Sequence, residues 1–243
     1  MEMIDNTVVA LPPKLNSTDW VERYKNGNFD ISPERLAAEL QLLALGDFVP
    51  LSIKIDTWLF ETQVQQFNND WFPYLPRTDR LNNREALTVV TYPGFSHAQA
   101  PSMPQIQAAL GRPVLESDCN VKTSVYEACT SLHPILNLFP DLGRTFLVKC
   151  NMGGYFVPHR DHPQLSRDVF RIIVFLKNCK RFEYDFLFDD KSLEIEEGRA
   201  YMVNTRRTHR TMSFVDDSIH LILNIPLTLE NVLKIVSNLQ HRH

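Results

Sequence analysis

The chain has 243 residues, of which 44% are hydrophobic and 22% are charged. This composition is typical of a globular protein with a substantial core and excludes a disordered or fibrous chain. The formal net charge of −4 argues against a protein whose main ligand is nucleic acid, because phosphate binding usually requires a basic surface.

Cysteine usage and the N-terminal segment indicate the compartment. Cys119, Cys129, Cys150 and Cys179 lack CxxC spacing, and we predict free thiols, as in a reducing cytoplasm. The segment MEMIDNTVVALPPKLN is too weakly apolar for a signal peptide, and no run approaches the roughly 18 apolar residues that cross a bilayer. We therefore expect a soluble cytoplasmic protein without membrane contacts, and the sequence does not indicate its oligomeric state.

The first half of the chain mixes helix and strand patterns. The first thirty residues are polar and predict a loosely ordered arm. In SPERLAAELQLLALGD, Ser32 as N-cap, Pro33 at the first helical position and Gly46 as the stop predict a helix. PLSIKID and EALTVVTYPG have strand patterns, and SLHPILNLFPDLG predicts a short helix interrupted by prolines.

The sequence pattern changes at about Arg144, where strand-like runs begin to follow one another with only brief turns between them. Seven or eight such runs within about eighty residues indicate an all-β barrel or sandwich. TLENVLKIVSNLQ then predicts a closing helix capped by Thr228. We predict a single domain, 1–243, with an N-terminal arm, helices and supporting strands in 1–143, the β core in 144–227 and a C-terminal helix in 228–243.

The segment VPHRDHP is the clearest candidate for chemistry. Alternation along a strand would place Tyr155, Val157, His159 and Asp161 on one face, and Phe156 on the other. His159 and Asp161 would then project side by side. An imidazole and a carboxylate presented together are two of the ligands that a divalent first-row metal prefers.

A third ligand must come from elsewhere in the chain. His209, 48 residues beyond Asp161, is the best candidate, because intervening barrel strands would produce such long spacing. The rival pair His159 and His162 is less attractive, since i, i+3 pairs converge on a helix and the flanking prolines oppose one. Taken alone, the HxD pattern also fits a surface turn whose aspartate caps the backbone.

Three stretches together carry a resemblance to a known family. PHRDHPQLSRDVFRIIVFL, EEGRAYMVNTRRTHRTMSF and SIHLILNIPL resemble the core of the Fe(II)/2-oxoglutarate-dependent dioxygenases, and most closely their aspartyl/asparaginyl β-hydroxylase-like or free-proline hydroxylase branch. The resemblance covers roughly residues 144 to 227. It implies a mainly β fold with flanking helices, built on a double-stranded β-helix (a jelly-roll, cupin-like barrel). Iron would be bound at the open end by His159, Asp161 and His209.

The same resemblance implies Fe(II), 2-oxoglutarate and O2 as cofactor and cosubstrates. The expected reaction is hydroxylation of an amino acid, a peptidyl side chain or another small carboxylate-bearing substrate, with release of succinate and CO2. Relatives commonly carry an arginine in the last barrel strand to bind the far carboxylate of 2-oxoglutarate, whereas Ser218 stands nearest that position here. Candidates for cosubstrate binding are therefore Arg171, Lys149, Arg207, Ser218 and His220.

Two further functions remain compatible with the sequence. A cupin-type metalloenzyme would keep the barrel and the metal without using 2-oxoglutarate. A non-catalytic binding module would keep the barrel with purely structural histidines. Metal content separates the last possibility from the other two, and loss of 2-oxoglutarate affinity on substitution of Arg171 and Lys149 would separate the first two.

Overall fold

The computed structural model of the protein describes residues 32–74, 83–161 and 168–240. The predicted arm, which covers the first thirty residues, and the alternative ligand His162 lie outside these ranges. The described strands are β1 (Phe48–Lys54), β2 (Phe72–Pro73), β3 (Arg84–Thr91), β4 (Val121–Lys122), β5 (Thr145–Cys150), β6 (Tyr155–His159), β7 (Val169–Lys177), β8 (Tyr184–Phe188), β9 (Lys191–Ser192), β10 (Arg199–Val203), β11 (His209–Ser213) and β12 (Ser218–Pro226).

Helices lie before, between and after these strands. The described α-helices are α1 (Pro33–Ala44), α2 (Thr57–Val64), α3 (Met103–Leu110), α4 (Ser124–Ala128), α5 (His133–Leu136) and α6 (Leu229–Ser237). Short 3-10 turns cover Gln65–Phe67, Glu116–Asp118 and Thr130–Leu132. None of the helices in the described ranges combines the length and apolar composition required to span a bilayer.

The strands form two antiparallel sheets. The large sheet has the order β1-β10-β7-β12-β5-β3-β2, with β4 paired to β3, and the small sheet has the order β6-β11-β8-β9. From β5 onwards the chain passes repeatedly from one sheet to the other, with β5, β7, β10 and β12 in the large sheet. This alternation is that of a double-stranded β-helix. The predicted fold class, mainly β with flanking helices, is confirmed.

The large sheet is covered on both faces. One face, with Phe146, Phe175 and Tyr201, packs against the small sheet to form an aromatic-rich interior. The opposite face, with Leu147 and Leu221, belongs to a second apolar cluster that includes side chains of the helices. Double coverage explains why β7 and β12 have almost continuous apolar sequences rather than alternating ones.

Local sequence signals explain the helices that frame the barrel. The Ser32 side chain accepts a hydrogen bond from the backbone N–H of Arg35, and α1 starts at Pro33, as predicted. Thr228 caps α6 through the backbone N–H of Asn231. The helices α2 and α3 were not predicted, although Ser102 and Gln105 form a capping box at the start of α3.

The N-terminal half is joined to the barrel by backbone pairing. Strand β1 pairs with β10, and β3 pairs with β5, so segments before residue 144 extend the large sheet at both edges. The four cysteines are free and buried, as predicted. The boundaries proposed at residues 144 and 228 remain a prediction.

Candidate metal centre

Two histidines meet where the small sheet ends. His159 is the last residue of β6 and His209 is the first residue of β11, and the antiparallel register places them directly opposite each other. Their ring centroids are 4.3 Å apart. The strand ends therefore bring together two imidazoles that are separated by fifty positions in sequence.

Asp161 completes this group two residues beyond β6. Its backbone N–H donates to the carbonyl oxygen of Thr205 at 3.0 Å, which ties it to the loop that leads into β11. Asp161 Oδ1 lies 3.8 Å from His159 Nε2. One ligand atom from each of His159, Asp161 and His209 lies within 4.8 Å of the others. Two histidines and one carboxylate in this arrangement match the facial triad of non-haem Fe(II) sites, which leaves coordination positions open.

The hydrogen bonds of both histidines set the same tautomer. His159 Nδ1 lies 2.7 Å from the carbonyl oxygen of Val157, and His209 Nδ1 lies 3.0 Å from that of Arg207. A carbonyl only accepts, so Nδ1 carries the proton in each ring and Nε2 keeps its lone pair. Backbone carbonyls commonly orient metal-binding histidines in this way.

Electrostatics favour the metal-binding protonation states. Burial would raise the pKa of Asp161, but the nearby charge of Arg171, followed by His209, holds the pKa below its usual value. Burial lowers the pKa of His209, more than the neighbouring Asp161 raises it. A carboxylate and a neutral imidazole are the forms that bind metal ions.

Arg171 lies beside the triad, but its guanidinium contacts groups of the chain itself. Nη1 lies 2.5 Å from Asp161 Oδ2, Nε donates to Asn224 Oδ1 at 2.9 Å, and Nη2 lies 3.6 Å from Glu116 Oε1. These contacts leave Asp161 Oδ1 directed towards His159. Arg171 is therefore placed to position the carboxylate ligand, and its predicted contact with 2-oxoglutarate gains no support.

A bulge in β6 changes which side chains face the interior. His209 pairs with His159 but Thr211 pairs with Phe156, so the register shifts between the two pairs. Phe156 consequently packs against the interior cluster, with its ring stacked 6.2 Å from that of His159. Strict alternation had placed Phe156 on the opposite face from His159, and that prediction was wrong.

Two of the predicted cosubstrate residues, Lys149 and Arg207, direct their side chains away from the triad. Lys149 Nζ is 2.5 Å from Glu85 Oε2 and 4.7 Å from the centroid of the Trp71 ring, on the face of β5 opposite the interior residue Val148. The Arg207 guanidinium is half exposed and pairs with Asp47 and Asp189. Its carbonyl oxygen, rather than its charge, contacts the site.

Ser218 and His220 lie deeper in the barrel than the triad. Ser218 Oγ donates to the carbonyl oxygen of Asn178 at 2.7 Å and lies 2.6 Å from Ser213 Oγ. His220 is buried between the rings of Phe175 and Tyr184. The residue of β12 that reaches the Asp161–Arg171 pair is Asn224, six positions after Ser218.

Sequence reasoning missed the groups that support Arg171. Glu116 lies in a 3-10 turn outside the strand-rich region and is almost fully buried. Burial raises its pKa, although Arg171 and Arg144 oppose this shift. Asn224 carried a usable signal, since it is a polar residue within the apolar run of β12, where a buried amide requires partners.

Three solved structures are similar to this chain. A Pseudomonas putida prolyl-4-hydroxylase is 11% identical, with 80% of this chain and 100% of that chain covered and a TM-score of 0.45. A 2OG-Fe(II) oxygenase family oxidoreductase from Burkholderia pseudomallei is 12% identical, with 79% and 90% covered and a TM-score of 0.44. A Trichoplax adhaerens prolyl hydroxylase, in complex with a hypoxia inducible factor peptide fragment, is 11% identical, with 86% and 98% covered and a TM-score of 0.44.

No protein-family model and no curated protein matches this sequence. At the identities and TM-scores of the three structures, the similarity assigns no function to the chain. The functional assignment therefore depends on the residues of the candidate metal centre.

Proposed function

We propose that this protein is an Fe(II)- and 2-oxoglutarate-dependent oxygenase. It would hydroxylate an amino acid, a peptidyl side chain or another small carboxylate-bearing substrate, and release succinate and CO2. The metal ligands are His159, Asp161 and His209.

One observation carries this proposal. The imidazoles of His159 and His209 lie opposite each other with both Nδ1 atoms bonded to backbone carbonyls, and the Asp161 carboxylate lies beside them. An ordinary surface turn would not preset two tautomers around a carboxylate that is only 12% exposed. The donor set of two nitrogens and one oxygen is that of the Fe(II) facial triad. Catalytic zinc sites can use the same donors, so the metal is decided by the charge-transfer band on adding 2-oxoglutarate, which zinc with its filled d shell does not give.

The chain's own residues would prepare the site before any ligand binds. Arg171 keeps Asp161 ionised and binds one of its oxygens, so that the other is available to the metal. The carbonyl oxygens of Val157 and Arg207 hold the two rings in place. Bound Fe(II) would supply the centre at which O2 and 2-oxoglutarate react to oxidise a C–H bond.

The test begins with metal and cosubstrate rather than with an unknown substrate. Purified full-length protein, loaded anaerobically with Fe(II), should develop a visible charge-transfer band when 2-oxoglutarate is added. Exposure to air should then release succinate, even at the slow rate of uncoupled turnover. Asp161→Ala should abolish both signals. If the wild-type protein binds neither Fe(II) nor 2-oxoglutarate, the proposed function is wrong.

A metalloenzyme of the cupin type that does not use 2-oxoglutarate is the second candidate. One observation favours this candidate. Three basic residues that were predicted to bind the cosubstrate, Arg171, Lys149 and Arg207, each form an ion pair with a carboxylate of the chain itself. This candidate predicts tight metal binding with no charge-transfer band on adding 2-oxoglutarate. The same titration therefore separates the two functions.

A further inference from the structure

An arginine from outside the barrel strands lies in the barrel interior. Arg84 begins β3, which pairs with β5 at the edge of the double-stranded β-helix. The register aligns Arg84 with Cys150, and Cys150 with Ser218. Arg84, Cys150 and Ser218 are therefore cross-strand neighbours on three adjacent strands. Ser218 stands where relatives commonly carry the arginine that binds the cosubstrate.

The Arg84 side chain is directed into the barrel interior and packs on the Phe156 ring. Two residues further along β3, Ala86 belongs to the interior cluster, and Arg84 shares its face. The Arg84 guanidinium carbon lies 3.9 Å from the centroid of the Phe156 ring. That ring stacks on His159 at 6.2 Å. A single aromatic ring thus separates the guanidinium from a metal ligand, and the β6 bulge is what brings Phe156 into this position.

Other polar groups of the interior are poised to donate hydrogen bonds. Tyr184 Oη, Thr211 Oγ1 and His220 Nδ1 are fully buried. The hydroxyls of Tyr184 and Thr211 interact with each other, which leaves one O–H of this pair to donate elsewhere. His220 Nδ1 has no hydrogen-bond partner within the described part of the chain. Burial, reinforced by the charge of Arg84, lowers the pKa of His220 to about 3. The ring is therefore neutral at physiological pH and carries one N–H. A guanidinium, one of the two hydroxyls and an imidazole N–H can all donate to an anion.

We infer that Arg84, assisted by Tyr184, Thr211 and His220, binds the far carboxylate of a 2-oxo dicarboxylic acid whose other end lies at the metal centre. This inference rests on the proposed function and names the anchor of its cosubstrate. A planar guanidinium binds a carboxylate through two parallel hydrogen bonds, which gives both affinity and orientation. The anchor would be supplied by a strand added to the barrel edge rather than by the last barrel strand.

The inference makes a prediction about selectivity that is independent of turnover. Mn(II) can replace Fe(II) as a redox-stable metal, and calorimetry can then measure binding of 2-oxoglutarate and of 2-oxovalerate, which lacks the far carboxylate. The wild-type protein should prefer 2-oxoglutarate. Arg84→Met should weaken 2-oxoglutarate binding by about 10- to 100-fold, as expected for lost charged hydrogen bonds, and leave 2-oxovalerate and Mn(II) binding unchanged.

Lys149→Met is the matched control. Lys149 lies on the neighbouring strand, opposite Glu85, but faces away from the interior, so this variant should keep the wild-type preference. Tyr184→Phe should reduce the preference by a smaller factor and remains informative if Arg84→Met does not fold. An Arg84→Met protein that still discriminates between the two acids overturns the inference while leaving the proposed function intact. A wild-type protein that binds Mn(II) but neither acid overturns both.

Discussion

His159 and His209 are directly opposite partners in the β6–β11 pair, with ring centroids 4.3 Å apart. The distance between their imidazoles is thus fixed by sheet register rather than by a flexible loop. Asp161, held to Thr205 through its backbone, joins them from the end of β6. Sites built on strands are more rigid than sites built on loops, and this rigidity motivates the first prediction.

Removal of one triad imidazole should strongly weaken metal binding. His209→Ala should weaken Mn(II) binding by at least about 10- to 100-fold, because even the loss of an outer-shell partner costs that much in metal sites. Binding isotherms on the apoprotein would measure it. His97→Ala is the matched histidine control, since His97 contacts Asp70 and Ser124 instead. Equal affinities for the His209→Ala and wild-type proteins would contradict the assignment of His209.

The pairing of Arg171 with Asp161 predicts a large effect on stability. Arg171→Met leaves the largely buried carboxylate of Asp161 without its cation, whereas Glu116 keeps Arg144 at 3.9 Å. The free energy of unfolding should fall by about 3–5 kcal/mol. Urea denaturation of the apoprotein would measure this loss. Glu116→Gln keeps the Arg171–Asp161 contact and should cost less. If Glu116→Gln proves as damaging as Arg171→Met, the Asp161 contact is not the dominant one.

The side chain of Arg207 should be dispensable for metal binding. It pairs with Asp47 and Asp189 at the surface, and only its carbonyl oxygen reaches His209. Arg207→Ala should therefore bind Mn(II) with wild-type affinity in the same isotherms. A loss of tenfold or more would show that the guanidinium acts on the site after all.

Burial of His220 predicts acid sensitivity. Its pKa is lowered to about 3 in the folded protein, whereas an exposed histidine in the unfolded chain titrates near 6.5. Below about pH 6.5 the unfolded state binds a proton that the folded state does not. Stability should therefore fall with decreasing pH in this window, by up to about 1.4 kcal/mol per pH unit from this group. His220→Asn should show a shallower pH dependence of the free energy of unfolding. If the wild-type and His220→Asn proteins show the same dependence, His220 is not the source of the acid sensitivity.

Local patterns predicted the β core and proposed His159, Asp161 and His209 as ligands, and the family resemblance added the double-stranded β-helix. The structure confirms the fold class and brings the three side chains together. Pro158 and Pro163 exclude a helix around His159, and the run of strands after Arg144 indicates the β core. The errors came from register, which local patterns do not encode. A bulge moved Phe156 into the interior, and Lys149 took the face of β5 that the helices cover. The sequence did not predict that Arg84 lies in the barrel interior, because its strand β3 pairs with β5, which is about sixty positions further along the chain.

The network behind Arg171 requires a glycine at Gly143. A Cβ atom at this position would lie 2.8 Å from the carbonyl oxygen of Glu116 and 3.0 Å from that of Asn224, and backbone atoms cannot move aside cheaply. Gly143→Ala should therefore lower the free energy of unfolding by about 1–3 kcal/mol through overpacking. Gly111→Ala is an instructive comparison, since its Cβ would meet nothing within 4 Å and only the positive φ of 64° opposes it.

Denaturation of the two glycine variants would separate crowding from backbone strain. The strain at Gly111 should cost about 1 kcal/mol. Because Glu116 and Asn224 both contact Arg171, Gly143→Ala should also weaken Mn(II) binding, and Gly111→Ala should not. If Gly143→Ala is no less stable than Gly111→Ala and binds Mn(II) normally, the close packing of Glu116 and Asn224 around this glycine does not support the metal centre.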